Sequence, residues 1–207
     1  MSGGNAIKRV SIIIIIIAIV VATLAFVAIA KYPRVVQPAI TRGLSIATDR
    51  LANLEADALI PADKATAAPE FANGVWINSD PLTLARLRGR VVLVEFWTFG
   101  CYNCRNTLPS VKEWDKRYRD RGLTIVGVHT PETESEYSID NVRKQVPALG
   151  IKYPVVTDNN YKTWKAYGVE AWPTIFVLDK QGRIRWEHIG EGRYEETERV
   201  IKALLAE

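Results

Sequence analysis

One stretch of this chain, residues 91–109 (VVLVEFWTFGCYNCRNTLP), constrains its fold more than any other. The stretch opens with β-branched, aliphatic and aromatic residues interrupted only by Glu95, a composition typical of a strand buried on both faces. A turn at residues 98–100 then leads to Cys101 and Cys104, and from there the apolar residues recur at helical spacing. The sequence predicts a C-x-x-C pair where a central buried strand meets a helix.

That placement of a C-x-x-C pair is typical of a thioredoxin-type redox site. A thiolate is the nucleophile in disulfide exchange, and the unpaired N–H groups at a helix N-terminus favour negative charge. We therefore predict that Cys101 is the attacking thiol. Cys104 lies about one helical turn further on, where it can attack a mixed disulfide on Cys101 and release the product.

Two other interpretations of the cysteine pair explain less. A zinc site needs about four ligands, but the chain has no other cysteine, and its two histidines, His129 and His188, stand at no familiar zinc spacing. A structural disulfide accounts for neither the strand before the pair nor the helix after it. We expect no metal and no cofactor.

The composition narrows the class of protein. A length of 207 residues suggests one ordinary domain with additional segments, and a hydrophobic fraction of 48% is enough for a core. The net charge of +4 is modest, and the basic residues are spread among acidic ones without an arginine-rich arm. We therefore expect no nucleic-acid binding.

A candidate membrane segment lies near the N-terminus. Residues 10–30 carry no charge, and residues 12–17 are all isoleucine. About 21 residues at 1.5 Å per residue span about 30 Å, enough to cross a bilayer. Ala28-Ile29-Ala30 resembles a signal-peptide cleavage site, but the apolar run exceeds the usual core of about 7–15 residues. We expect a retained transmembrane anchor after a cytoplasmic N-terminus at residues 1–9, with a cleaved signal peptide as the alternative.

The flanking charges do not decide the orientation of this segment. Lys8 and Arg9 precede it, and Lys31, Arg34 and Arg42 follow it. The redox pair favours an extracytoplasmic position for the C-terminal domain, because disulfides form and persist outside the cytoplasm. We expect a single-pass protein of the cytoplasmic membrane, with its C-terminal domain on the extracytoplasmic, periplasmic side.

Residues 31–67 are predicted to be a linker, which either is a mobile spacer or contains a short amphipathic helix. The folded domain is predicted at residues 68–207. Strands are predicted at 71–77, 91–97, 123–129, 153–157, 174–178 and 184–188. Helices are predicted at 101–119, 138–149, 161–167 and 193–206, and a turn followed by a short helix is predicted at 79–87. The βαβ order, followed by a hairpin and a last helix, predicts an α/β domain with a central mixed sheet flanked by helices.

The predicted domain resembles the thioredoxin fold, specifically the TlpA-like branch and within it the DipZ-like domains. The motifs that carry this likeness are residues 97–104 (WTFGCYNC), 127–132 (GVHTPE), 158–161 (DNNY) and 172–174 (WPT). The resemblance implies a thiol–disulfide oxidoreductase at the outer face of a bacterial cytoplasmic membrane. It also implies that the enzyme reduces disulfides in exported proteins, such as apocytochromes awaiting haem.

The resemblance implies roles for two further residues. Pro173 matches a family proline whose preceding peptide bond is cis, in a loop beside the attacking cysteine, with an ordinary strand-leading proline as the alternative. Glu95 matches a buried carboxylate that accepts the proton of the resolving thiol. A glutamate in an apolar strand is costly unless it is used or paired, and a salt bridge with a nearby arginine is the alternative.

Aromatic side chains are expected around the site. Trp97, Phe99 and Trp172 are predicted to be walls of the site and part of the substrate-binding surface, with plain core residues as the alternative. His129 is predicted to be a hydrogen-bonded structural residue at the same sheet edge as the active site. His188 has no predicted role.

The sequence also departs from the family pattern. DipZ-type proteins join this domain to a multi-span membrane part, whereas a single apolar segment stands here. We therefore expect a separate membrane electron donor resembling the CcdA or DsbD type. Tyr102-Asn103 stands where cytoplasmic thioredoxins have Gly-Pro, so the redox potential does not follow from the resemblance. An oxidant or isomerase that uses the same residues is therefore an alternative to the reductase. A peroxide-reducing redoxin and a copper-carrying module are further alternatives, although the stretch before Cys101 lacks a Pro-x-x-x-Thr/Ser-x-x-Cys motif.

Overall fold

A computed structural model describes residues 59–207 of the chain. The predicted N-terminal tail, the transmembrane segment and most of the linker lie outside these residues. Within residues 59–207, no helix combines the length and the apolar character needed to cross a membrane.

The described domain alternates strands and helices. The strands are β1 (Trp76–Ile77), β2 (Val91–Trp97), β3 (Leu123–His129), β4 (Val155–Thr157), β5 (Thr174–Leu178) and β6 (Ile184–Ile189). The helices are α1 (Tyr102–Tyr118), α2 (Ile139–Ala148), α3 (Lys162–Ala166) and α4 (Tyr194–Ala206). Short 3-10 turns lie at Arg119–Arg121 and Glu134–Glu136.

These strands form one six-stranded mixed sheet in the order β1-β4-β3-β2-β5-β6. The central strand β2 pairs in parallel with β3 and antiparallel with β5. All its residues are buried, which agrees with the nearly continuous apolar run from which a doubly covered strand was predicted. The predicted mixed α/β sheet is confirmed.

The alternation of side chains along β2 divides the core into two layers. Val91, Leu93 and Trp97 pack with residues of α1, α2 and α4 on one face. Val92, Val94 and Phe96 pack with Tyr167, Val169 and the segment before β2 on the other face. The active-site helix α1 therefore lies over the face that also carries Glu95.

Two predicted elements before β2 differ in the structure. The strand predicted at 71–77 shortens to β1, because the Ala72 and Val75 N–H groups donate to the hydroxyls of Thr163 and Thr157, at 3.1 and 3.0 Å, rather than to the carbonyls of a neighbouring strand. The short helix predicted within residues 79–87 is absent, and the range contains only bends, turns and irregular backbone. The carboxylate of Glu70 accepts the Leu84 N–H at 2.9 Å, and burial of Leu84 and Leu87 produced the helical pattern.

The folded domain begins before the predicted boundary at residue 68. The Ile60 N–H donates to the Arg185 carbonyl at 2.8 Å, and the Ala68 N–H donates to the Gly182 carbonyl at 3.0 Å. Ala67 also pairs with Arg183 in an isolated bridge. These bonds attach the incoming chain to the β5–β6 hairpin, at the end of the sheet where β2 and β3 begin.

Candidate active site

The cysteine pair lies where β2 ends and α1 begins. Cys101 is the N-cap of α1, with an extended backbone (φ −68°, ψ 122°), and its Sγ accepts the Cys104 N–H at 3.2 Å. Cys101 is half-buried and Cys104 is fully buried, and both are free thiols. Cys101 thus presents the accessible sulfur at a helix N-terminus, the position predicted for the attacking thiol.

The thiol of Cys104 is poorly suited to lose its proton unaided. Burial raises the pKa of Cys104 far above its ordinary value, and the hydrogen bond to Cys101 and the charge of Glu95 raise it further. A resolving thiol in this environment needs a nearby base. Glu95 lies on the face of β2 that α1 covers and is the candidate for this base.

Glu95 is wholly buried on β2, and its Oε2 accepts a hydrogen bond from the Tyr153 hydroxyl at 2.9 Å. Burial raises the pKa of Glu95 to about 7, against the lowering effect of this bond. Its Oε1 has no hydrogen-bond partner in residues 59–207, and no basic side chain of that region forms a salt bridge with it. A carboxyl group with a pKa near neutrality is suited to take up a proton at physiological pH.

The predicted proline loop lies at the same edge of the sheet. The peptide bond between Trp172 and Pro173 is cis, as predicted. The loop leads into β5, whose first residue Thr174 is paired with Phe96 near the end of β2. The Pro173 carbonyl accepts the Gly190 N–H at 2.7 Å. This pairing places the loop beside the turn that carries Cys101.

The three predicted aromatic walls have different environments. Trp97 is 0% exposed and packs in the core, which fits the alternative of a plain core residue. Phe99 and Trp172 are only partly buried. The Trp172 indole N–H donates to the Thr130 carbonyl at 3.1 Å, and its ring packs on Trp164 at 4.2 Å. Phe99 and Trp172 therefore stay candidates for the substrate-binding surface.

His129 ends β3 beside Trp97, at the predicted edge. Its Nε2 lies 3.2 Å from the Thr98 hydroxyl, and its ring stacks on Phe99 at 5.5 Å. Burial lowers the pKa of His129 to about 4, so the ring is neutral at physiological pH. The contacts fit the predicted structural histidine. His188 lies half-buried on β6, away from this cluster.

Sequence reasoning missed two residues of the site. Tyr153 was predicted only as the start of a strand, and nothing in the sequence links it to Glu95. Glu136 is wholly buried, and its Oε1 accepts the Gly100 N–H at 2.8 Å, directly before Cys101. Thr133 and Glu136 have the spacing of a capping box, which the structure contains. This spacing is the sequence feature from which Glu136 could have been predicted to bind backbone N–H groups.

Comparison with known proteins places this geometry in a family. The sequence profile of the AhpC/TSA family matches residues 65–187. The chain belongs to the AhpC/TSA family. This AhpC/TSA protein is 43% identical over 133 residues to protein DipZ of Mycobacterium tuberculosis, a match that covers 63% of this chain and 19% of DipZ. It is 31% identical over 128 residues to the thiol–disulfide oxidoreductase ResA of Bacillus thuringiensis, covering 62% of this chain and 71% of ResA.

The solved structures agree with these relatives. A thiol–disulfide isomerase from Corynebacterium glutamicum superposes with a TM-score of 0.61 at 27% identity, covering 68% of this chain and 97% of the isomerase. The predicted thioredoxin fold is confirmed for the AhpC/TSA domain, which is of the DipZ and ResA thiol–disulfide oxidoreductase type. The chain matches only 19% of the length of the DipZ relatives.

Proposed function

We propose that this AhpC/TSA protein is a membrane-anchored, extracytoplasmic thiol–disulfide oxidoreductase that reduces disulfides in exported proteins. One juxtaposition carries the proposal: an accessible Cys101 at a helix N-terminus, a buried Cys104, and a buried Glu95 whose pKa is about 7. These groups supply a nucleophile, a resolving thiol and a base for that thiol.

The reaction has two exchange steps. The Cys101 thiolate attacks one sulfur of the substrate disulfide, the substrate S–S bond breaks, and the other substrate sulfur leaves as a thiolate. Cys104 then loses its proton to the Glu95 carboxylate and attacks the Cys101 sulfur of the mixed disulfide. The second substrate thiolate leaves, and a Cys101–Cys104 disulfide forms. Two electrons have passed from the pair to the substrate.

The oxidised pair needs an electron source before it can act again. We propose a separate membrane donor resembling the CcdA or DsbD type. We also propose apocytochromes awaiting haem as one substrate class, because the resemblance to DipZ-like domains implies them. Residues 60–68 are attached to the β5–β6 hairpin. The chain enters the domain at the end of the sheet opposite to Cys101, so a tether there leaves the active site free to face soluble substrates.

Thiol labelling of intact cells tests this proposal. A membrane-impermeant alkylating reagent is compared with a permeant one, and labelling is read as a gel shift, with a Cys101→Ser/Cys104→Ser chain as the control. We expect the impermeant reagent to label Cys101, the accessible thiol, without added reductant, which indicates an external pair kept reduced. Labelling only after added reductant would indicate an oxidant. Labelling only by the permeant reagent would place the domain in the cytoplasm and contradict the proposed topology.

The AhpC/TSA profile match motivates one competing function, a peroxide-reducing redoxin. That function needs a cysteine that a peroxide oxidises directly, and the turn before Cys101 lacks the motif expected around such a cysteine. Peroxide consumption by the reduced chain decides between the two. We expect a rate no higher than that of the Cys101→Ser variant, and faster consumption by the wild type would favour the redoxin.

A further inference from the structure

We infer that Glu136 is a positioning residue for the attacking thiol: its carboxylate clamps the turn at residues 98–100 and so fixes the direction in which Cys101 meets a protein disulfide. The inference deepens the proposed function and rests on it for the reaction concerned. Its basis is a set of hydrogen bonds between two segments that are far apart in sequence.

Both carboxylate oxygens of Glu136 are occupied by backbone donors. Oε1 accepts the Gly100 N–H at 2.8 Å. Oε2 accepts the N–H groups of Glu132 and Thr133 at 2.7 and 2.8 Å. The residue after Gly100 is Cys101, so the carboxylate joins the loop after β3 directly to the turn that presents the thiol. The Glu136 residue itself is 0% exposed.

The residue at position 100 fits this contact. A Cβ added to Gly100 would lie 2.5 Å from Glu136 Oε1, closer than real Cβ atoms approach. Gly100 is not among the glycines with a positive φ. The contact with Glu136, rather than a left-handed backbone, therefore accounts for the glycine.

The clamp depends on an ionised carboxylate. Burial alone would raise the pKa of Glu136, but hydrogen bonds from the Thr98 hydroxyl and from the backbone lower it below its ordinary value. A glutamine cannot replace this group, because its amide NH₂ would face an N–H donor on one side or the other. Glu136→Gln must therefore lose the bond to Gly100 or the bonds to residues 132 and 133.

The test uses the full-length chain in detergent with a Cys104→Ser background, so that only the first step is read. Two rates are measured: formation of the mixed disulfide between Cys101 and a protein disulfide, and alkylation of Cys101 by iodoacetamide. The first rate requires the thiol to be aimed along a bound chain, whereas the second reads only the reactivity of the sulfur. The control is Glu134→Gln, which removes an exposed charge from the same loop.

We expect Glu136→Gln to slow mixed-disulfide formation roughly tenfold or more, since small misplacements of reacting groups are costly, while alkylation stays within about twofold. Glu134→Gln should change neither rate. Mixed-disulfide formation at the wild-type rate would overturn the inference. Equal losses in both rates would also overturn it, because they would reflect a change in the sulfur itself rather than in its direction.

A second variant changes the other partner of the contact between Glu136 and Gly100. Gly100→Ala breaks the clamp by steric conflict, so the double variant with Glu136→Gln should react no more slowly than the slower single variant. Additive losses would contradict a shared contact. If one variant does not fold, the other still decides the inference.

Amide hydrogen exchange of Gly100, followed by NMR, gives a readout that needs no activity. The Gly100 N–H should be protected in the wild type and exposed in Glu136→Gln, with β2 unchanged. A Gly100 amide that exchanges freely in the wild type would overturn the clamp. A clamped wild-type chain that reacts no faster with a protein disulfide than the unfolded chain would instead overturn the proposed function.

Discussion

The Tyr153 hydroxyl donates a 2.9 Å hydrogen bond to Glu95, a residue 58 positions earlier in the chain, and both side chains are buried in the same core layer. The bond prefers the ionised carboxylate, whereas burial prefers the protonated one. Burial is the stronger effect, and the pKa of Glu95 lies at about 7. Near neutral pH, Glu95 can therefore both accept a proton from Cys104 and return it.

Removal of the Tyr153 hydroxyl is expected to shift the pH dependence of the second exchange step. In Tyr153→Phe, burial of Glu95 is no longer opposed by the hydrogen bond, so the pKa of Glu95 rises above about 7. The rate of product release from the mixed disulfide, followed by stopped-flow between pH 6 and about 9, should reach its maximum at higher pH than in the wild type. An unchanged pH profile would show that the Tyr153 hydroxyl does not affect the pKa of the base in this step.

Glu95→Gln is expected to slow the resolving step without affecting the attack by Cys101. Glutamine keeps the size of the side chain but cannot accept the proton of Cys104, and general-base catalysis contributes roughly 10²–10⁴-fold. In rapid-quench experiments the variant should form the mixed disulfide at the wild-type rate and then accumulate it. A fast second step in Glu95→Gln would remove this residue from the mechanism.

The same residue predicts a pH dependence of stability. The pKa of Glu95 rises from 4.5 in the unfolded chain to about 7 in the fold, so the folded state holds the proton more tightly. Its contribution is complete below pH 4.5 and is lost as pH rises through about 7. At about 1.4 kcal/mol per pKa unit, the loss is about 3 kcal/mol.

His129 acts in the opposite direction, since burial lowers its pKa from 6.5 to about 4 and its contribution to stability grows as pH rises between these values. Glu95→Gln retains His129, so the difference between the two chains isolates the glutamate. Urea unfolding of the reduced chains should show wild type losing about 3 kcal/mol relative to Glu95→Gln between pH 4.5 and about 8. A difference independent of pH would contradict a raised pKa at Glu95.

The two tryptophans near the site are expected to respond differently to truncation. Trp97 is wholly buried, and Trp97→Ala should lower the free energy of unfolding by about 3–5 kcal/mol. Trp172 is partly exposed, so Trp172→Ala should mainly slow the reaction with protein disulfides and leave reaction with a small disulfide unchanged. Urea unfolding and the two exchange assays check both. Equal effects of the two changes on stability would contradict the assignment of Trp97 to the core and Trp172 to the surface.

Features that depend on residues close together in the chain could be predicted from the sequence. Strands β2, β3 and β5 were predicted with their observed bounds, because each consists mainly of β-branched, aliphatic and aromatic residues and is ended by a turn or loop. The site beside Cys101 could be placed because its cysteine spacing and helix N-terminus are local features.

Interactions between distant segments were not predictable in the same way. The bond from Tyr153 to Glu95 and the clamp from Glu136 to Gly100 join residues 58 and 36 positions apart. The sequence left Trp97 open between the core and the substrate-binding surface, because strand alternation alone does not say which of the two the last residue of a central strand faces. The helix predicted before β2 is absent, because Leu84 and Leu87 are buried at helical spacing but lie in turns.

Trapping of the mixed disulfide tests the central claim most directly, namely that Cys101 attacks and Cys104 resolves. The reduced full-length Cys104→Ser and Cys101→Ser chains are mixed with a protein disulfide, quenched with acid and analysed on a non-reducing gel. We predict that Cys104→Ser accumulates a covalent adduct through Cys101, while Cys101→Ser forms none at a comparable rate because its remaining thiol is buried. Rapid adduct formation by Cys101→Ser through Cys104 would reverse the roles and contradict the account.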